Sequence, residues 1–202
     1  MCRGLERAVK DTSDQSLIYP PAVAYALLLT TALALGGFLV TSIQGFLVGS
    51  GLGTAAAKVL VTRHVGYAIP TVLLSLFSQS MVIFYFIGTG KLVKEEIVTL
   101  PDDQKQAVVR VLRRFKAETS PAATFSLLAA IAVFVLGGAA HTRALPSWVH
   151  LASALVAVGT HYWALSAEWR VFGENNRLMG DPGKFARELI SSPAGTSVPP
   201  QP

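Results

Sequence analysis

Four stretches of this chain carry no Asp, Glu, Lys or Arg: residues 15–57, 64–90, 119–142 and 144–167. The hydrocarbon core of a bilayer is roughly 30 Å thick and a helix rises about 1.5 Å per residue, so about 20 apolar residues cross it once. Each stretch is long enough for one crossing. The first is longer, but its far end holds too much Gly, Thr and Ser to make a second. Spans are predicted at about 22–46, 67–87, 122–140 and 148–167. Barrel strands would alternate apolar and polar residues over about ten positions, whereas these runs are apolar on every face. The charged fraction of the whole chain, 14%, is far below the roughly 25% of soluble domains, because these four runs contain none of it.

The first run resembles a secretory leader in two respects, the basic residues Arg3, Arg7 and Lys10 before it and the small residues Ala32 and Ala34 within it. Its apolar part continues through Leu35, Phe38 and Val40, well beyond the roughly 7–15 residues of a leader's apolar region. An uncleaved anchor is therefore expected.

Basic residues fix the predicted orientation. The N-terminal tail has three, the 91–121 loop has seven and the C-terminal segment has four. The two remaining connections hold only Lys58, Arg63 and Arg143. Fourteen against three, under the positive-inside rule, puts both termini and the 91–121 loop in the cytoplasm, and a bacterial inner membrane is the expected location. The net charge of +5 follows from this bias and from contact with anionic head groups, so nucleic acid is not an expected partner. The single cysteine, Cys2, excludes an internal disulfide and dithiol redox chemistry.

The 91–121 loop has a pattern of its own. Pro101, Asp102 and Asp103 read as a helix start. Val108, Val111, Leu112 and Phe115 share one face of that helix, with Lys105, Arg110, Arg113, Arg114 and Lys116 on the other. Next to a bilayer, such a helix is expected to lie in the interface with its apolar face down, or to dock a soluble partner. Asp181-Pro182-Gly183 should end the fourth helix, and 184–190 should form a short one. The predicted fold is thus all-α: an integral membrane four-helix bundle over residues 20–190, with a cytoplasmic amphipathic helical extension between helices 2 and 3. It is flanked by a polar tail at 1–19 and a Pro- and Ser-rich disordered tail at 191–202.

Gly45, Gly49 and Gly53 have the four-residue spacing of a close helix-packing face. Gln79 sits near the middle of its span and requires a hydrogen-bonding partner there. Three of the four histidines, His64, His141 and His150, fall at the outer ends of their spans, and imidazole suits zinc, copper and haem iron. They are the candidate haem or metal ligands. His161 is the one ionisable side chain well inside a span, and such a group is by default a functional candidate. With Glu168 seven residues on, it marks a stripe that could carry protons or ions. Glu174, Asn175, Asn176 and Arg177 could hold a head group or phosphate. The zinc-protease pattern His-Glu-x-x-His, the Gly-x-Ser-x-Gly nucleophile turn and the Walker pattern are all absent.

Three functions are compatible with this. The first is a non-catalytic accessory subunit packed in a larger membrane complex or a homo-oligomer. The second is a b-type haem electron carrier using the outer histidines. The third is a small transporter or channel along His161 and Glu168.

Overall fold

The computed structural model describes residues 21–49 and 54–191. The 1–19 tail, residues 192–202 of the other tail, and Gly53 lie outside them, while Ser191 is the last residue of a helix. Among the described residues the chain is entirely helical and turn, with no strand. The helices are α1 (Pro21–Gly49), α2 (Thr54–Glu96), α3 (Asp102–His141), α4 (Ser147–Gly180) and α5 (Pro182–Ser191), with one 3₁₀ turn at Ile97–Thr99. Three of them, α1, α2 and α3, are long and apolar enough to cross a membrane. The run in α4 is less apolar because it includes His150, His161, Tyr162 and Trp163.

The boundaries follow local chemistry. Asp102 and Asp103 occupy the first turn of α3, where unpaired N–H groups favour negative charge. Asp181 ends α4, and its Oδ1 accepts from the Lys184 N–H at 2.7 Å, capping α5. The turn after α3 is a Schellman motif. Ala144 N–H reaches the Ala139 carbonyl and Arg143 N–H the Ala140 carbonyl, at 2.9 and 3.1 Å. Arg143 therefore takes the left-handed position that glycine usually fills, with φ 61°.

Each of the four long helices packs chiefly on two others, α1 on α2 and α4, and α3 on α2 and α4. Their outward faces carry Leu29, Ile43, Phe77, Phe84, Leu128 and Leu155, all exposed. Between them Thr31, Ser75, Ser78, Gln79, His161 and Glu168 are buried. This is the inverse of a water-soluble helical protein, and it is how helices associate where the surroundings are as apolar as leucine.

The structure departs from expectation in the 91–121 segment. The amphipathic helix is not a separate element. It is the first part of α3, which runs unbroken through Pro121. The carbonyl that Pro121 leaves without a donor belongs to Ala117, which is exposed, so water can satisfy it. The apolar face does not lie open for lipid or a soluble partner. Val108, Val111 and Phe115 are buried against Val93 and Ile97 of the α2 end, Val171 and Leu178 of α4, and Phe185 of α5. Ion pairs tie the same elements together, Arg114 to Glu174 and Arg177 to Glu188. The polar cluster at 174–177 is therefore occupied internally, since Asn175 and Asn176 both bond the Tyr85 hydroxyl, at 3.2 and 3.1 Å.

Candidate functional site

At the end of the assembly that carries the α3–α4 turn, a cavity of about 1060 Å³ opens between the four long helices. Its wall is mostly apolar, with Phe38 and Phe46 from α1, Val72 from α2, Phe134 from α3 and Leu151 from α4. His64, His141 and His150 all line it, so their common depth, readable from the sequence, places them in one chamber. They are not equivalent within it. His141 lies in the last turn of α3 and is exposed. Among the described residues no three metal-ligating side chains come together, so the three-histidine cluster resolves into a pair.

That pair is His64 of α2 and His150 of α4. Their ring centroids are 6.0 Å apart and their planes are at 79°. Each ring is seated against a glycine of the neighbouring helix. A Cβ added at Gly45 would stand 3.3 Å from His64 Cε1, and one at Gly137 would stand 2.8 Å from His150 Cε1. The second contact is closer than real Cβ atoms approach, so a larger residue there would require the His150 ring to move. One turn before each glycine lies the backbone group that each imidazole senses, Thr41 for His64 and Val133 for His150. Neither contact closes to a full hydrogen bond, and Nδ1 of both rings is buried without a partner. Both residues line the cavity. The two halves of the site thus repeat one arrangement: a histidine on one helix, and on the adjacent helix a glycine and, one turn earlier, a carbonyl.

Two imidazoles at this spacing could hold a group between them. A nitrogen–metal bond of about 2 Å on each side of one metal, plus the imidazole radius, separates two ring centroids by about 6 Å. Nδ1 facing a backbone carbonyl is the usual way a ligating histidine is oriented. A bare zinc ion would need about four protein ligands, which this site does not supply. A haem iron takes only its two axial ligands from the protein, and the cavity has the volume for a macrocycle.

His161 plays no part in this pair. It is fully buried, its Nδ1 donates to the Ala157 carbonyl at 2.7 Å and its Nε2 accepts from the Ser75 hydroxyl at 2.5 Å. Both nitrogens are engaged, so neither is free to ligate. The Phe38 ring lies 4.5 Å from the imidazole and also lines the cavity, so His161 sits beneath the cavity floor. Gln79 does find partners: its Nε2 donates to Thr31 Oγ1 and to Glu168 Oε1, both at 3.2 Å.

Sequence reasoning missed Gly137, which limits the space at His150, and Gly37, where a Cβ would stand 2.5 Å from Thr71 Oγ1. The close α1–α2 approach thus falls at Gly37 and Gly45. Gly49 only ends α1. Depth counting could have placed Gly137 level with His150, but nothing in the sequence gives the direction in which it faces.

No family model, curated protein or solved structure matches the chain.

Proposed function

We propose that this protein is a four-span bacterial inner-membrane electron carrier that binds one b-type haem between His64 and His150. Both termini and the packed extension of α2–α5 lie in the cytoplasm, as the distribution of basic residues requires. The observation that carries the reading is the facing imidazole pair, 6.0 Å between centroids, with a glycine opposite each ring. Bound there, haem iron supplies one-electron transfer at a potential set by its axial ligands and the polarity around it. The chain's own contribution would be to hold the two imidazoles 6.0 Å apart and to exclude water with Phe38, Val72, Phe134 and Leu151. Arg143 lines the same cavity and is the basic group placed to pair with a propionate. The accessory-subunit reading rests on missing motifs, and no side-chain arrangement here adds to it.

A reduced-minus-oxidised visible spectrum of protein purified from haem-replete cells tests the proposal. A sharp α-band is the expected result, and a flat spectrum at full protein concentration sinks it. Two graded series refine it. Gly137→Ala is expected to lose most of the haem, Gly45→Ala less, and Gly138→Ala none, because a Cβ at Gly138 meets nothing within 4 Å. The haem-to-protein ratio reads this order directly. Arg143→Gly relieves a left-handed backbone while removing the propionate partner. Haem affinity should fall about tenfold, the worth of one charge-assisted hydrogen bond, with thermal stability unchanged or raised. A fall in both would mean that Arg143 only supports the turn.

A further inference from the structure

A second polar system lies deeper in the same core, toward the end that carries α5, and the haem pair does not use it. Its centre is Glu168, which is 1% exposed. One carboxylate oxygen accepts from Gln79 Nε2 at 3.2 Å, and the other, Oε2, is buried with no hydrogen-bond partner. α1 presents Thr30 and Thr31 at this level, with Thr31 Oγ1 2.7 Å from Ser78 Oγ of α2. On the α3 side, Ala122 packs against Ala164 and Ala167. Among the described residues no ion pair includes Glu168. On its own helix Arg170 and Tyr162 are exposed and Glu174 pairs with Arg114, and the other buried titratable group is His161, two turns away, with both ring nitrogens engaged.

A carboxylate taken out of water without a counter-ion loses far more solvation than neutral donors restore. In a membrane interior the group then neutralises or recruits a cation. Here the group that hydrogen-bonds Glu168 is a neutral amide N–H. An amide N–H aimed at the carboxyl oxygen opposes a metal cation at that point but is compatible with a neutral acid, whose remaining oxygen carries the proton.

A second buried polar group lies on the same face of α4. Seven residues further along α4, Asn175 is fully buried and donates to the Tyr85 hydroxyl, which in turn donates to Asn176 Oδ1. This polar cluster sits where the apolar core gives way to the packed extension. In the other direction Gln79 of α2 bonds Thr31 of α1, which bonds Ser78 of α2, and one turn further along α2 Ser75 bonds His161. The polar side chains of α4 at 161, 168 and 175 recur every seven residues, so they share one face.

We infer that Glu168 is a membrane-buried proton-binding site, carrying a protonated carboxyl at neutral pH and exchanging that proton with water through the Tyr85–Asn175 end of the core. The inference does not depend on haem. The first test is an infrared difference spectrum, wild type minus Glu168→Gln, at pH 7 in H₂O and D₂O. A carbonyl stretch of a protonated carboxyl, moving to lower frequency in D₂O, is expected. Carboxylate bands in its place would overturn the protonated state, and a band that does not move in D₂O would overturn the exchange route. Should the variant not fold, wild-type protein reports by itself. A lipophilic carbodiimide adds a carboxyl O–H across its C=N bond, and the adduct rearranges to a stable N-acylurea, so mapping by mass spectrometry should locate label on Glu168. Label absent from Glu168, or label blocked by sodium ions at constant pH, would replace the proton site with an ionised or cation-binding one.

Discussion

Under the proposed haem function, replacing His150 by alanine is expected to remove the α-band entirely, and replacing His64 should do the same. His141→Ala should keep it. The expectation rests on the pairing geometry, not on depth, since all three histidines line one cavity and only two of them face each other at 6.0 Å. With one imidazole gone, a haem iron would retain a single protein ligand in an apolar chamber, and the site has no other nitrogen or sulfur donor in line. The measurement is the reduced-minus-oxidised spectrum of each variant at matched protein concentration, with helicity by circular dichroism as the folding control. Loss of the band in His141→Ala with retention in His64→Ala would overturn the assignment of the pair. Loss in neither His64→Ala nor His150→Ala would mean that a chromophore, if one is found, sits elsewhere.

The second large effect concerns the extension. Phe115 is 1% exposed and packs with Leu178 and Phe185. Phe115→Ala should destabilise that part of the molecule by about 3–5 kcal/mol, the usual cost of emptying a buried aromatic site. Hydrogen exchange is the suitable measurement, because it resolves local opening. Amides of residues 102–118 and of α5 should lose protection, while those of the helices around the His64–His150 cavity at the other end keep theirs. A helix lying apolar face down on the bilayer predicts something different: weaker lipid contact but little change in the protection of α5. Unchanged α5 protection in Phe115→Ala would therefore restore that surface reading and contradict the packing described above.

Much was legible in the linear sequence, and for one reason. Run length, charge and breaker residues are one-dimensional properties. The four charge-free stretches required long apolar helices. Asp102 and Asp103 marked the start of α3, and Asp181-Pro182 marked the α4–α5 break. A rise of about 1.5 Å per residue placed His64, His141 and His150 at one depth, and it showed that Gln79 lies where a polar partner is needed.

What the sequence could not supply was rotation about each helix axis and the identity of the neighbour. Depth alone did not separate His141, which stays exposed, from His64 and His150, which meet. Nor did it show that Gly137 makes space for one ring, or that Glu168 belongs to the core although Trp169 and Arg170 beside it point outward. Gln79 could have paired with any polar side chain at its level, and interhelical packing chose Thr31 and Glu168. The apolar face of α3 satisfies the same pattern whether it rests on lipid or on α5, because both remove it from water. Only tertiary structure decides between them, since the deciding quantity is contact between segments far apart in the chain.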